Sequence, residues 1–129
     1  MADVQRKVLI VDDDPAMLEE LCRCVVSWCY TPVTASGPDE AMRMFNSDPE
    51  IQLIISDQGM VPLTGIGMIT MLRSTQRRFE AIIFSGGNPY RLIDAATLVG
   101  VRKIVEKPDC RRLHEELVAA AIALDMNLP

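Results

Sequence analysis

Long apolar runs are missing from this sequence. No stretch approaches the roughly 18 consecutive apolar residues that a membrane-spanning helix requires, and the polar N-terminus from Met1 to Lys7 has no apolar signal core. Lysine and arginine are also in the minority, because 13 basic against 18 acidic side chains give a formal net charge of −5. We therefore expect a cytoplasmic protein that binds neither a membrane nor nucleic acid through bulk charge.

Common metal-binding and disulfide spacings are missing among the four cysteines. None of the four cysteines belongs to a Cys-x-x-Cys pair. Cys22 and Cys24 are two residues apart in a predicted helix that also includes Cys29, so their side chains diverge around that helix. Together with Cys110, they are expected to be free thiols in a reducing compartment.

Short apolar runs alternate with amphipathic segments along the chain. The apolar runs predict strands at residues 7–11, 32–35, 51–57, 80–84 and 102–105. The segments between and after them predict helices at residues 15–29, 38–45, 68–78, 88–100 and 110–124. No linker, repeat or low-complexity segment interrupts this order, and 129 residues fit one domain. The pattern is typical of a doubly wound α/β fold with a parallel sheet.

Several helix starts carry capping residues. Asp14 and Asn88 each precede a proline, which suits an N-cap followed by the first helical residue. Asp109 is the predicted N-cap of the last helix, and residues 36–39 resemble a capping box. Trp28 and most methionines fall at core spacing and predict packing, whereas His114 lies on a polar flank and predicts a surface position.

Polar side chains follow four of the five predicted strands. Asp12 and Asp13 follow the first strand, Asp57 ends the third, Ser85 follows the fourth and Lys107 follows the fifth. Right-handed crossovers place the carboxyl ends of parallel strands at one edge of the sheet, so these residues are predicted neighbours. Clustered carboxylates repel one another, and a hard divalent cation relieves that repulsion. A magnesium site is therefore predicted at this edge.

Four motifs in this order and at these spacings resemble those of a known family. They are Val8-Leu-Ile-Val-Asp-Asp-Asp-Pro15, Leu53-Ile-Ile-Ser-Asp57, Ile83-Phe-Ser-Gly86 and Val105-Glu-Lys-Pro108. Together they are similar to the motifs of bacterial response-regulator receiver domains, the CheY-like family of two-component signalling. The resemblance implies a flavodoxin-like strand order 2-1-3-4-5 with helices on both faces. It implies one receiver domain over residues 1–129, complete or as the N-terminal part of a longer regulator.

The resemblance implies that Asp57 is a phosphoacceptor. Its carboxylate would attack the phosphohistidine of a histidine kinase or phosphotransfer protein. Asp13, Asp57 and the backbone carbonyl of Gly59 would hold Mg²⁺, and Asp12 would act on the ion through water. An acyl phosphate is itself labile, so the domain would also hydrolyse its own modification. It would be a phosphoacceptor rather than a turnover enzyme.

The resemblance also implies residues that bind the phosphoryl oxygens. Lys107 would neutralise one of them, and only a long side chain spans the roughly 10 Å between strands five and three. Ser85 and the backbone N–H of Gly86 would bind others. Gly59 and Gly87, two residues beyond the acceptor and the serine, offer no side chain to orient or block water. We hypothesise that side-chain control of dephosphorylation is absent.

Two positions depart from the family pattern. Val61 separates Met60 from Pro62, where the family usually has Met-Pro, so the path of this loop and the use of the Gly59 carbonyl become open questions. Ile104 stands where the family has a switch aromatic that swings inward as Ser85 moves toward the phosphoryl group. Isoleucine cannot report that movement, so output would travel through backbone and helix-four shifts, or signalling would be weak.

The expected partner face consists of helix four, strand five and helix five, as in the family. Four arginines would make part of that face basic: Arg91, Arg102, Arg111 and Arg112. A downstream partner or an output domain would read it, and a homodimer is compatible with the same face.

Other functions stay open at this stage. Ile104 and the altered loop favour a phosphorylation-independent interaction module, although the intact site residues argue against it. A nucleotide- or flavin-binding protein of the same fold is disfavoured because neither G-x-x-x-x-G-K-[ST] nor G-x-G-x-x-G occurs. Asp12 and Asp13 could instead cap the first helix alongside Asp14, and Lys107 could be a solvated lysine.

Overall fold

Five parallel strands form one sheet in the order β2-β1-β3-β4-β5 in the computed structural model, which describes residues 5–87 and 91–126. The strands are β1 (Lys7–Val11), β2 (Thr31–Ala35), β3 (Ile51–Ser56), β4 (Glu80–Ser85) and β5 (Val101–Glu106). The helices are α1 (Pro15–Ser27), α2 (Pro38–Ser47), α3 (Gly65–Arg73), α4 (Ile93–Leu98) and α5 (Cys110–Asp125). The expected fold class and strand order are confirmed.

Helices cover both faces of the sheet and bury a separate apolar cluster on each. On one face α2, α3 and α4 pack through Phe45, Met68 and other buried side chains, and on the other face α1 and α5 pack through Leu21 and Leu113. Strand β3 serves both clusters, because Ile54 belongs to the first and Ile55 to the second. A strand buried on two faces needs apolar residues on both sides, which explains the consecutive buried residues Leu53, Ile54 and Ile55.

Side-chain caps begin three of the helices. The carboxylates of Asp14 and Asp109 accept the backbone N–H groups of Ala16 and Arg112, each at 3.0 Å, as predicted. Thr64 caps α3 through the N–H of Gly67 at 3.1 Å. The proposed N-cap at position 88 lies outside the described residues.

The capping box predicted at residues 36–39 does not form. Gly37 rather than Ser36 is the N-cap of α2 and makes no side-chain cap bond, and the carboxylate of Glu40 rather than Asp39 accepts the N–H of Ser36, at 2.8 Å. Pro38 suits the first position of the helix because its φ is fixed and it has no N–H that needs a partner.

Two predicted helix ends were too late. Helix α1 ends at Ser27 rather than Cys29, because Cys29 has a φ of +72° and leaves the helical path. Helix α3 ends at Arg73 rather than Arg78, and Gln76 with φ +62° turns the chain toward β4. The other described boundaries lie within a few residues of those predicted. No helix within the described ranges has the length and apolar character needed to cross a bilayer.

Two arginines anchor the edge where the strands begin. Arg77 lies 3.7 Å above the centre of the Phe45 ring and donates to the carbonyls of Phe45, Asp48 and Ile51. Because these carbonyls belong to the end of α2 and the start of β3, the guanidinium joins two connections to the sheet. The sequence predicted a helix that continues to Arg78, whereas Arg77 lies in a loop and its side chain folds inward.

Arg73 makes a similar set of contacts next to β5. It lies 3.8 Å above the Phe79 ring and donates to the carbonyls of Phe79, Val99 and Gly100, each at 2.9 Å. Gly100 has a φ of +75°, a conformation that a glycine adopts readily. Together the two arginines satisfy loop carbonyls along the amino edge of the sheet.

Candidate functional site

The ends of β1 and β3 hold three carboxylates close together. The N–H of Asp57 donates to the carbonyl of Val11 at 2.9 Å, which places Asp57 beside the end of β1. One oxygen from each of Asp12, Asp13 and Asp57 lies within 4.8 Å of the others. The prediction that these strand ends are neighbours is confirmed.

The three carboxylates have different environments. Asp12 is buried and accepts the backbone N–H of Asp14 at 2.9 Å. Asp13 is exposed, and Asp57 is half-buried. Burial raises the pKa of Asp57 above its usual value; the charge of Lys107 opposes this shift and the charge of Asp12 adds to it.

Lys107 reaches across two strand spacings to the acidic cluster. Its Nζ lies 2.9 Å from Oδ2 of Asp12 and 3.4 Å from Oδ1 of Asp57. Burial alone would lower the pKa of Lys107, but the hydrogen bond and charge of Asp12 and the charge of Asp57 outweigh it and raise that pKa. The ammonium is therefore charged and partly offsets the carboxylates. Lys107 is not a freely solvated lysine.

Ser85 ends β4 at the same edge of the sheet. It is buried, and its carbonyl accepts the N–H of Lys107 at 2.9 Å, which ties the end of β4 to the end of β5. Its hydroxyl oxygen accepts the N–H of Gly87 at 3.3 Å. Gly86 is exposed between them. Because β3 and β4 pair with Ser56 opposite Ile83, Ser85 lies about one residue beyond the level of Asp57.

Gln58 organises the loop after β3, and no sequence motif identified it. Its N–H donates to Oδ1 of Asp57 at 2.9 Å, and its side-chain oxygen accepts the N–H of Ile66 at 2.9 Å. Its carbonyl accepts the N–H groups of Met60 and Gly65. Val61, where the sequence departs from the family pattern, is exposed, and a cis peptide bond joins it to Pro62.

Gly65 and Ser56 fix the peptide carbonyl of Asp57. A Cβ at Gly65 would lie 2.3 Å from that carbonyl oxygen. The hydroxyl of Ser56 donates to the same oxygen at 2.8 Å. The sequence signal for this close contact was Gly65 itself, because a residue without a Cβ allows two backbones to approach closely.

The donor set at the carboxyl edge fits a magnesium ion. Mg²⁺ prefers oxygen ligands and is usually held by one or two carboxylates with several waters. Asp12, Asp13 and Asp57 offer carboxylate oxygens within the span that one ion covers, and one of them is exposed to solvent.

Comparison with known proteins agrees with this geometry. A family model described as the response regulator receiver domain matches residues 8–118. This chain belongs to the receiver-domain family of two-component response regulators. The receiver is 33% identical over 104 residues to the two-component response regulator PprB of Pseudomonas aeruginosa. That alignment covers 78% of this chain and 38% of PprB, so the chain spans well under two thirds of that relative.

Solved receiver structures share the fold. A response regulator receiver domain protein from Clostridium thermocellum matches with a TM-score of 0.88 at 21% identity, over 95% of this chain and 98% of that chain. The response regulator TrrA from Thermotoga maritima, solved in complex with Mg²⁺ and BeF, matches with a TM-score of 0.81 at 23% identity, over 90% and 99%. Identities this low establish the fold of the receiver alone.

The expected partner face of the receiver contains a groove of about 440 Å³ between α4, β5 and the start of α5. Ile104 lines this groove and is half-buried against the cluster under α4. Arg102 and Arg112 also line it, but Arg102 pairs with Glu80 at 2.8 Å. The expected basic character is therefore partly neutralised. His114, which the sequence placed at the surface, is half-buried against Trp28.

Proposed function

We propose that this receiver accepts a phosphoryl group on Asp57 in a magnesium-dependent reaction. The donor is the phosphohistidine of a histidine kinase or a phosphotransfer protein. The observation that carries the proposal is the cluster of three carboxylates beside one ammonium at the carboxyl edge of the sheet. Such a cluster costs stability, and a site for a cation and a phosphoryl group accounts for it.

Asp57 is the nucleophile in this proposal. One of its oxygens forms the new P–O bond while the P–N bond to the donor histidine breaks, and the leaving imidazole takes up a proton. Oδ1 of Asp57 already accepts the N–H of Gln58 and faces Lys107. The carboxylate is thus held in one orientation before the donor arrives, which removes part of the cost of positioning.

Asp13, Asp57 and the carbonyl of Gly59 would hold the magnesium ion, and Asp12 would act on it through water. When bound, the ion supplies positive charge that offsets the carboxylates and the phosphoryl oxygens. Asp12 is held in place by the N–H of Asp14 and by Lys107. That arrangement keeps its charge directed at the site.

Lys107 and Ser85 would bind phosphoryl oxygens. The Lys107 ammonium lies 3.4 Å from Oδ1 of Asp57, so a group attached to Asp57 would be within its reach. Ser85 has a hydroxyl hydrogen to donate while its oxygen accepts from Gly87. The exposed N–H of Gly86 would add a further donor. All three donors would already be in position to stabilise the negative charge of the phosphoryl group.

Hydrolysis of the acyl phosphate would proceed without side-chain control at Gly59 and Gly87. A Cβ at Gly59 would meet nothing within 4 Å, and one at Gly87 would lie 3.8 Å from the hydroxyl of Ser85. A Cβ is therefore tolerated at both positions. We expect Gly59→Leu to slow the decay of the phosphorylated protein by shielding it from water, and an unchanged decay rate would contradict this part.

Output would pass through the face formed by α4, β5 and α5. Phosphorylation would draw Ser85 toward the phosphoryl group, and because β4 and β5 are joined at Ser85 and Lys107 the movement would reach β5. With Ile104 in place of an aromatic, the change at the groove would be a backbone shift of α4. A downstream partner, an output domain or a second copy would read it.

The test is incubation with acetyl phosphate, with and without Mg²⁺, followed by intact-mass measurement of the wild type and Asp57→Asn. We expect one added phosphoryl group in the wild type, lost when either Mg²⁺ or Asp57 is removed. A wild type that gains no phosphoryl group and binds no beryllofluoride would sink the proposal. That outcome would favour a phosphorylation-independent interaction module, which Ile104 and the Val61 loop motivate.

A further inference from the structure

The start of α3 is held by a residue from the beginning of the preceding loop. The first turn of this helix presents N–H groups that have no acceptor within the helix itself. The hydroxyl of Thr64 accepts the one from Gly67 at 3.1 Å. Gln58 accepts the two before it, because its carbonyl takes the N–H of Gly65 at 3.1 Å and its side-chain oxygen takes that of Ile66 at 2.9 Å. The end of β3 and the start of α3 are therefore joined at Gln58.

The backbone of the same residue contacts both groups that this loop would supply to a cation. The N–H of Gln58 donates to Oδ1 of Asp57 at 2.9 Å. Its carbonyl also accepts the N–H of Met60 at 3.0 Å, and that N–H belongs to the same peptide unit as the carbonyl of Gly59. Because a peptide unit is planar, a bond that fixes its N–H also fixes the direction of its carbonyl. Gln58 thus connects the Asp57 carboxylate and the Gly59 carbonyl to α3.

Among these contacts, the side-chain bond alone depends on the type of residue at position 58. Most residues offer the same backbone N–H and carbonyl. The bond from Ile66, in contrast, needs an oxygen at the end of a side chain that is long enough to reach the helix. Gln58 is half-buried, so a side chain without an acceptor would leave the N–H of Ile66 poorly satisfied. The amide of Gln58 is therefore what ties this loop to the helix.

We propose that Gln58 is a positioning residue for the magnesium site. Its side chain would hold the loop between β3 and α3 in one conformation, so that the Asp57 carboxylate and the Gly59 carbonyl are oriented before the ion arrives. This inference rests on the proposed function, because it assigns a further residue to the cation site of that function. Residues that orient metal ligands without touching the metal typically change its affinity by roughly ten- to a hundredfold.

The experiment titrates purified wild type and Gln58→Met with Mg²⁺ and measures binding by calorimetry. Methionine has nearly the same length as glutamine but no oxygen to accept the N–H of Ile66. We expect the Kd for Mg²⁺ to rise roughly tenfold. Phosphorylation by acetyl phosphate should then need more Mg²⁺, while its rate at saturating Mg²⁺ should approach that of the wild type.

A second cap of the same helix separates positioning from a general loss of stability. Thr64→Val removes the hydroxyl that accepts the N–H of Gly67. We expect Thr64→Val and Gln58→Met to lower the Tm of the metal-free protein to a similar extent, because each leaves one N–H of α3 without its acceptor. Only Gln58→Met should weaken Mg²⁺ binding. Gln52→Met, the same substitution at a half-buried glutamine of β3, should leave the affinity unchanged.

Two further substitutions at position 58 test the part played by the side-chain oxygen. Gln58→Glu keeps an acceptor at the same distance from the backbone, so it should bind Mg²⁺ at least as tightly as the wild type. Gln58→Asn keeps the amide but is one methylene shorter, so it should lose affinity as Gln58→Met does. It also provides the measurement if Gln58→Met does not fold.

The outcomes distinguish this proposal from the proposed function. Equal Mg²⁺ affinities in the wild type, Gln58→Met and Gln58→Asn would overturn the role of Gln58 and leave the phosphoacceptor chemistry standing. An equal loss of affinity in Thr64→Val, or a Gln58→Glu variant as weak as Gln58→Met, would overturn it as well. A wild type that binds no Mg²⁺ at all would overturn both.

Discussion

The charged side chains at the two edges of the sheet differ in how fully the protein itself pairs them. At the amino edge, Arg73 and Arg77 each lie over an aromatic ring and donate to three backbone carbonyls. At the carboxyl edge, three carboxylates share one ammonium, and burial raises the pKa of Asp57.

The difference separates stability from function within one fold. Charges at the amino edge are satisfied by the protein itself, so they stabilise the connections between strands and helices. Negative charge at the carboxyl edge exceeds what Lys107 offsets, so we expect this edge to lower the stability of the metal-free fold, as the proposed cation site requires. Replacing a charge should therefore have opposite effects on stability at the two edges.

The largest effect is expected from Arg77→Met at the amino edge. The substitution leaves three carbonyls without their donor and removes the contact with Phe45, which should cost about 3 kcal/mol of unfolding free energy. Urea unfolding of wild type and variant measures it. Arg43→Met, an exposed arginine on α2, is the control and should change stability by less than about 0.5 kcal/mol. If Arg77→Met and Arg43→Met changed the unfolding free energy equally, Arg77 would not stabilise the amino edge.

Gly65→Ala should come next, because it affects the carboxyl edge through sterics rather than charge. The added methyl group would lie 2.3 Å from the carbonyl oxygen of Asp57, so the backbone must move. We expect a loss of about 1–3 kcal/mol and slower phosphorylation by acetyl phosphate. Gly37→Ala, where a Cβ meets nothing within 4 Å, should cost less than about 1 kcal/mol. Normal phosphorylation of Gly65→Ala would contradict the role given to this contact.

Asp57→Asn should make the metal-free protein more stable. The raised pKa of Asp57 means that the folded state binds this proton more tightly than the unfolded state, so the ionised carboxylate opposes folding at neutral pH. That penalty is complete above the raised pKa and disappears as the pH falls through it to the unfolded value. We expect a gain on the order of 1 kcal/mol, or about 4 °C in Tm, at pH 7.

Two measurements check that prediction. Thermal unfolding at several pH values should show the gain shrinking in acid, and Mg²⁺ should raise the Tm of the wild type more than that of Asp57→Asn. A variant that is less stable than the wild type at pH 7 without metal would show that the carboxyl edge is not strained by its charge.

Asp13→Asn should have the smallest effect on the metal-free protein. Asp13 is exposed, so water already screens its charge, and we expect a stability change below about 0.5 kcal/mol. Its loss should nevertheless reduce the Tm increase that Mg²⁺ causes. A small change in metal-free stability together with a smaller Mg²⁺-induced Tm increase would show that Asp13 contributes to metal binding rather than to repulsion inside the site. If Mg²⁺ raised the Tm of Asp13→Asn as much as that of the wild type, Asp13 would not be a ligand.

The sheet and its carboxyl edge could be predicted because they depend on local patterns. Apolar runs followed by Asp12, Asp57, Ser85 and Lys107 indicate strand ends, and the handedness of crossovers brings such ends together. The strand order and the role of Lys107 were implied by the resemblance to receiver domains; given that order, strand spacing required a long side chain at this position, and the contact between Lys107 and Asp57 agrees.

The amino edge could not be predicted in the same way. The sequence predicted that the third helix continues to Arg78, and it gave no role to Arg73, because the ring and carbonyl partners of Arg73 and Arg77 come largely from other segments of the chain. The same limit applies to Trp28 with His114, since their stacking depends on how α1 lies against α5. The ends of α1 at Ser27 and α3 at Arg73 were also missed, because the chain turns just beyond them at Cys29 and Gln76, whose positive φ angles such residues adopt only rarely.

Mapping the phosphorylated residue tests the central claim most directly. The protein would be treated with acetyl phosphate and Mg²⁺, reduced at once with borohydride, and digested for peptide sequencing by mass. Borohydride converts an aspartyl phosphate to homoserine, and we expect homoserine at position 57 alone, only when Mg²⁺ is present. Homoserine at Asp12 or Asp13, or at no position while a beryllofluoride complex is also absent, would contradict the assignment of Asp57 as the phosphoacceptor.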